Sequence, residues 1–360
     1  MEKKKLKICF LSGYSSSVNR GVERWVQELG NRLVEKGHLV KVYQLGSNSN
    51  QNYEEEQVFL KVNWKQKDTS QSWLRLFGLD YWSRILKQFT LKALSDITNF
   101  VPDIIIPLNG GNQNYLVKGY CRKTGTKMVL VGHWNDLLGL RQKPDLYIAT
   151  SAKQENWARK IYRGKIVKIL NGVNLKEFNL KGKKYPIKVP HPTILTVGAL
   201  IKGKNIDATI KAVSQIPKIG LVVCGDGDLK EKYLNLGKKL MGNRFQLLSL
   251  KSEDMPALYR TCDLFTLVPD QTEAFGLVFL EAMACGLGVV TIDDGTRREI
   301  IGQAGLLVKK NSGKEYVSAL KKTLNVDFTK NARKQAEKYS WEQIVDEYEK
   351  SFLNLFKENM

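Results

Sequence analysis

Short apolar runs alternate along the chain with glycine-bearing polar loops and with stretches of helical periodicity. Ile8–Leu11, His38–Leu45, Pro102–Pro107, Lys127–Val131, Asp145–Ser151 and Ile166–Leu170 read as buried strands. Between the first two, Val22, Trp25, Val26, Leu29 and Leu33 keep one face of a helix that Gly37 ends. Strand, glycine-bearing loop, helix, strand is the βαβ opening of a doubly wound sheet. A second helix puts Trp82, Ile85, Leu86, Phe89, Ala93 and Ile97 on one face, with Arg84, Lys87 and Lys92 on or beside the other. It precedes a strand, so its apolar face is expected to pack on the sheet. Residues 46–57, rich in Asn, Ser, Gln and Glu, read as a mobile loop.

The pattern restarts at Thr193–Val197 and continues through Leu221–Cys224, Asp263–Val268, Gly288–Ile292 and Gly305–Val308. The basic, proline-bearing stretch 179–192 reads as a linker. The last helix starts at a good N-cap, Ser340, and carries Ile344, Tyr348, Phe352 and Phe356. The expectation is an α/β protein of two doubly wound Rossmann-like domains: 1–178, linker 179–192, 193–339, and a terminal helix 340–360. A chain of 360 residues is long enough to bury cores for both.

Composition narrows the classes. Five cysteines without Cys-x-x-Cys spacing, most within apolar runs, read as small buried hydrophobes in a reducing compartment. Three histidines argue against a His-rich metal site. No signal peptide and no apolar run of about 18 residues is seen, so a cytoplasmic protein is expected, peripheral on the inner membrane face if it meets lipid. The net charge is +21, and residues 1–180 hold 29 basic and 15 acidic side chains, net +14. That excess suggests an anionic membrane surface or a charged acceptor. Nucleic acid lacks support, since no helix-turn-helix, zinc-finger or ribonucleoprotein signature occurs; a solvated basic face is the plain alternative. The aromatic, basic segment Trp73–Trp82 suits a membrane interface, an acceptor site or simple core packing.

The chemistry concentrates at Glu273–Gly286, where a polar turn becomes a helix at about Gly276 that Gly286 can stop. Backbone N–H groups around Phe275, Gly276 and Leu277 would favour a phosphate. Glu281 can accept from ribose hydroxyls and Glu273 from sugar hydroxyls. The bland alternative is a first-turn acid favoured by the helix dipole plus a solvated mid-helix Glu.

This Glu-x7-Glu pattern resembles the donor motif of the retaining glycosyltransferases of GT-B fold, family 4-like, and the resemblance covers nearly the whole chain. It implies an acceptor-binding first domain, a donor-binding second domain with catalysis between them, and a last helix crossing back to the first. Other segments carry the same likeness. Gly21, in Arg20-Gly21-Val22-Glu23, matches the second glycine of a Gly-Gly-x-Glu loop that approaches the donor phosphates, Arg20 replacing the first; a loop glycine needed for its backbone is the open alternative. His133, after the strand ending at Val131, matches a strand-end His that contacts the donor sugar near the reacting carbon, while Asp136 reads as a helix cap. Asn171-Gly-Val-Asn174 with Phe178 is similar to the turn that ends the first domain. Lys204 matches one of two diphosphate-neutralising cations in the 198–205 loop, but Ala199 replaces the arginine, so Lys202, or Arg297 and Arg298, would have to substitute. Gly225-Asp226-Gly227 is similar to a turn near base and ribose, and Ser249–Ser252, with Lys251, is the expected wall for the base.

These features imply a hexose-type transfer from a UDP-, GDP- or ADP-sugar to a glycan or lipid-linked acceptor, with no metal expected. An epimerase of the same architecture and a catalytically silent carbohydrate-binding subunit stand as alternatives.

Overall fold

The computed structural model describes residues 4–15, 17, 21–47, 49, 51–64, 78, 80–270, 275–309 and 313–357. It divides into two compact units, Met1–Leu170 with Ile344–Met360, and Asn171–Gln343.

The first unit is built on a parallel sheet of order β3-β2-β1-β4-β5-β6-β7. The strands are β1 Lys7–Leu11, β2 Leu39–Gln44, β3 Glu54–Gln57, β4 Ile104–Pro107, β5 Lys127–Gly132, β6 Leu146–Ala149 and β7 Ile166–Lys168. β1 and β4 are wholly or almost wholly buried, which a parallel strand covered on both faces requires. Helix α1 (Gly21–Glu35) buries Trp25, Val26, Leu29 and Leu33. Helix α2 (Tyr81–Phe100) buries Trp82, Ile85, Phe89, Ala93 and Ile97, the face anticipated from periodicity, and leaves Arg84, Lys87 and Lys92 exposed. Asp80 caps it by accepting from the Ser83 N–H at 3.1 Å. Next come α3 (Asn112–Thr124), α4 (Leu137–Arg141) and α5 (Ala152–Ile161).

The mobile-loop expectation for 46–57 is corrected in part, because Glu54–Gln57 form the edge strand β3. No apolar alternation marks it. Instead Lys41 on β2 reaches across to Glu54 at 2.8 Å and Glu56 at 3.2 Å, so ion pairs replace hydrophobic burial.

The second unit repeats the plan with the order β10-β9-β8-β11-β12-β13, again parallel. Its strands are β8 Thr193–Val197, β9 Gly220–Cys224, β10 Phe245–Leu248, β11 Leu264–Leu267, β12 Gly288–Ile292 and β13 Gly305–Val308. The helices are α6 (Ile206–Ser214), α7 (Lys230–Met241), α8 (Met255–Thr261), α9 (Leu277–Ala284), α10 (Gly295–Ile301), α11 (Gly313–Leu324) and α12 (Thr329–Glu337). Residues 179–192 are tied to this unit: Tyr185 N–H donates to Thr261 Oγ1 at 2.8 Å, and Lys188 N–H to Gln246 Oε1 at 2.8 Å.

The last helix, α13 (Trp341–Leu353), starts in the second unit and finishes in the first, as the resemblance implied. Ser340 Oγ accepts from the Gln343 N–H at 3.3 Å. Tyr348 is fully buried, receives the Trp25 Nε1–H at 3.3 Å and meets that indole edge-on. His38 Nδ1 accepts from the Leu6 N–H at 3.2 Å, so its proton sits on Nε2, 3.0 Å from Glu349 Oε1. Lys36 lies 3.1 Å from the other oxygen of Glu349.

Candidate functional site

In open parallel sheets the carboxyl ends of the strands, at the point where strand order reverses, are where ligands sit. In the second unit that point lies between β8 and β11. The two loops that leave it are joined to one another. Asn205 Nδ2 donates to the Val268 carbonyl at 3.0 Å, and the Asp270 N–H donates to the Gly203 carbonyl at 2.9 Å. Lys202–Lys204 form one 3-10 turn, with Lys202 exposed and Lys204 half-buried. The Lys204 stem runs over Gly198, where an added Cβ would lie 3.7 Å from Lys204 Cδ.

The turn after β9 packs on the same loop. Leu200 N–H donates to the Asp226 carbonyl at 2.8 Å, and Leu229 N–H to the Leu200 carbonyl at 2.9 Å. A Cβ on Gly225 would fall 2.0 Å from the Gly198 oxygen, so only glycine permits this approach. Lys230 and Ser249 hold the Asp226 carboxyl below the usual range and connect the turn to the 249–252 segment. Lys251 in that segment is exposed, 3.7 Å from Glu253.

Beyond β11 the described chain resumes at Phe275. Phe275 is buried and meets Tyr339 edge-on at 6.5 Å. Gly276 caps α9 with φ 87 and ψ 72, a left-handed conformation that glycine adopts without strain. Gly276 has no side chain to cap this end, and while the Phe279 N–H turns back to the Gly276 carbonyl at 3.1 Å, the N–H groups of Leu277 and Val278 are the ones a helix start would offer an anion. At the other end Gly286, also at φ 87, terminates the helix, and Arg333 Nη1 caps the Ala284 carbonyl at 3.0 Å. Glu281 is half-buried one turn inside α9, and its Oε2 accepts from the Tyr259 hydroxyl at 2.9 Å.

The expectation that Arg297 and Arg298 serve in place of the arginine absent at Ala199 meets a different geometry. Arg297 is 2% exposed, lies over the Phe279 ring and pairs with Asp294 at 3.1 Å. Arg298 is exposed and bonds Asp293 through both Nε (2.6 Å) and Nη2 (2.8 Å), which holds that carboxyl below its usual range.

In the first unit the order reverses between β1 and β4, and there too the two loops are joined, Gly13 N–H donating to Asn109 Oδ1 at 2.9 Å. Gly21 opens α1 and is exposed. His133 follows β5, its ring edge-on to Trp25 with centroids 4.8 Å apart. Its Nε2 is shielded from solvent and has no hydrogen-bond partner among the described residues, and desolvation lowers its pKa to about 4. The imidazole is therefore neutral at pH 7. Asp136 is the N-cap foreseen, accepting from the Gly139 N–H at 2.8 Å and from Asn114 Nδ2 at 2.6 Å.

The structure thus gathers Lys202, Lys204, Lys251, Phe275, Gly276 and Leu277 at the carboxyl edge of the second sheet, with Glu281 one turn inside the helix that begins there. Gly21 and His133 lie at the same edge of the first. Glu273, Arg20 and most of Trp73–Trp82 lie outside the described residues, although Trp82 itself is buried against Tyr14, Trp64 and Tyr81. Tyr259 was missed, because nothing in the sequence pairs a helix-buried aromatic with a carboxylate 22 residues later. Among the described residues no group of three or more His, Cys, Asp or Glu is placed to hold a metal, and no helix is long and apolar enough to cross a membrane.

Two Rossmann-like units with a last helix returning to the first define the GT-B fold. Residues 178–342 match the family model for glycosyl transferases group 1. An uncharacterized glycosyltransferase of Methanocaldococcus jannaschii is 30% identical over 208 residues, 56% of this chain and 57% of that protein. The chain spans somewhat over half the length of the curated relatives it matches. The fold is similar across the full length to sucrose-phosphate synthase of Thermosynechococcus elongatus, with TM-score 0.79, 18% identity, and 98% and 99% of the two chains covered. It is also similar to Anabaena HepE, solved in complex with UDP-glucose, with TM-score 0.74, 18% identity, and 97% and 100% covered.

Proposed function

We propose that the protein is a retaining glycosyltransferase that moves a hexose-type sugar from a nucleoside-diphosphate-sugar to a glycan or lipid-linked acceptor, in cell-surface polysaccharide or glycolipid synthesis. One observation carries this: the Lys204 turn is tied to the segment just after β11, through Asn205 Nδ2 to the Val268 carbonyl and the Asp270 N–H to the Gly203 carbonyl, and that segment leads towards Gly276 and Glu281. A cation, the N–H groups that open α9 and a carboxylate on that helix would together make the set that a diphosphate joined to ribose requires. HepE, solved with UDP-glucose, supports the same ligand class. Lys204, with Lys202 and the start of α9, would stabilise the charge that develops on the leaving diphosphate. Glu281 would hold the ribose, Glu273 the sugar hydroxyls, and His133 would offer a neutral imidazole nitrogen to a sugar hydroxyl.

Ala199, exposed where the resemblance has arginine, favours a second reading, a catalytically silent carbohydrate-binding subunit. A thermal-shift screen over UDP-, GDP- and ADP-sugars, followed by nucleotide release with an acceptor panel, separates the two. The expected outcome is stabilisation by one nucleotide class and release that depends on acceptor. Stabilisation without release under any acceptor would favour the silent subunit, conversion of donor without acceptor would indicate an epimerase, and no stabilisation by any donor would remove all three.

The basic first unit is also proposed to meet an anionic membrane surface on the cytoplasmic side. Phe59, Trp64 and Leu91 are exposed, beside exposed Lys61 and a Lys92 whose Nζ donates to the Phe59 carbonyl at 3.0 Å. Aromatic side chains among lysines suit the headgroup region.

A further inference from the structure

Tyr259 and Glu281 belong to different helices, α8 and α9, and meet at 2.9 Å through the phenol oxygen and Oε2. The phenol ring is fully buried in a file of aromatics, edge-on to Phe178 and tilted against Phe265. Phe178 lies at 5.8 Å and Phe265 at 5.9 Å, and Phe265 in turn meets Phe279, two residues before Glu281, at 5.7 Å. A ring buried and packed in this way holds its direction by close packing, so the core of the second unit favours one position for the hydroxyl. Burial first, and the adjacent Glu281 charge second, push the phenol pKa well above its ordinary value, so the hydroxyl donates and the carboxylate accepts. The terminal torsion of a glutamate is broad when nothing holds it. A donor at one oxygen sets the plane of the group, and a carboxylate has about four acceptor sites in all.

We propose that Tyr259 is a positioning residue whose hydroxyl sets the Glu281 carboxylate for a vicinal diol, making the site select ribonucleotides over deoxyribonucleotides. The proposal rests on the reading above, in which Glu281 faces the nucleotide. Its core is a division of labour. Glu281 touches the ligand, whereas Tyr259 acts only through Glu281, and the aromatic file keeps the orientation from depending on bound ligand.

Tyr259→Phe keeps the ring and its packing and removes only the donor. Titration calorimetry on the full chain first identifies which of UDP, GDP and ADP binds tightest. That nucleotide and its 2′-deoxy and 3′-deoxy forms are then titrated into wild type, Tyr259→Phe, Glu281→Ala and the double variant. Tyr259→Phe is expected to weaken the ribonucleotide about five- to tenfold, the scale of one hydrogen bond's net contribution, with the deoxy forms little changed. In the Glu281→Ala background it should add nothing further. A purely structural tyrosine would lower the melting temperature and weaken all forms alike. An unchanged ribo-to-deoxy ratio in Tyr259→Phe, where Glu281→Ala does reduce it, overturns the proposal alone. A Glu281→Ala variant that binds like wild type, or a wild type that binds none of the three diphosphates, removes both the proposal and the reading beneath it.

Discussion

At the scale of single residues, burial decides what His133 does as pH changes. Its pKa in the folded chain, about 4, lies below the ordinary 6.5, because desolvation disfavours the imidazolium. Above pH 6.5 both folded and unfolded forms are neutral and the group contributes no pH dependence. As pH falls below that value the unfolded chain takes the proton first, so stability is lost progressively down to the folded pKa. The loss between pH 7 and pH 5 should be about 2 kcal/mol, and His133→Gln should lack that part of it. Urea unfolding of both proteins at the two pH values checks this; parallel losses would show that the imidazole is solvated. The position of His133 was legible because a polar residue directly after a buried strand is conspicuous. Its neutrality was not, since that depends on burial in the fold, where Trp25, more than a hundred residues earlier in the chain, is one neighbour. Arg297 shows the same limit. As sequence it is one of two adjacent cations in a turn, whereas in the fold it is buried over Phe279 and paired with Asp294.

Among the elements, the loops leaving the second sheet depend on glycine more than on charge. Gly225→Ala would press a methyl against the Gly198 oxygen and displace the loop that carries Lys204. The expected cost is about 1–3 kcal/mol of stability, the scale of overpacking, together with weaker nucleotide binding. Denaturation and titration of that variant test both effects, and unaltered affinity would mean that the Lys204 loop tolerates the shift. Most strands could be read from sequence, because parallel strands covered on both faces are continuous apolar runs; Thr193–Val197, Gly288–Ile292 and Gly305–Val308 fall where the pattern put them. Two strands could not. β3 is carried by glutamates paired to Lys41, and β10, Phe245–Leu248, is a short run with Gln246 inside it. Both are sheet edges, where one flank has no neighbouring strand and the apolar demand is weaker.

For the whole molecule, the charge of +21, of which residues 1–180 hold +14, sets the long-range behaviour. Binding to phosphatidylglycerol vesicles should exceed binding to phosphatidylcholine vesicles and fall steeply between roughly 0.05 and 0.5 M salt, as the Debye length shrinks to a few ångströms. Co-sedimentation measures it. Replacing Phe59 and Trp64 by serine should weaken the salt-resistant remainder, and equal binding to both lipids would leave the charge as a solvated face.

Because α13 ends in the first unit, the chain passes between the units twice, after Leu170 and after Gln343. The second unit is therefore an internal cassette of the chain. An attempt to exchange this unit with a relative's by splicing at one point would strip Tyr348 from Trp25 and Glu349 from His38, and so damage the unit it meant to preserve. Recombination between such proteins has to respect both junctions, with the final helix travelling alongside the first 170 residues.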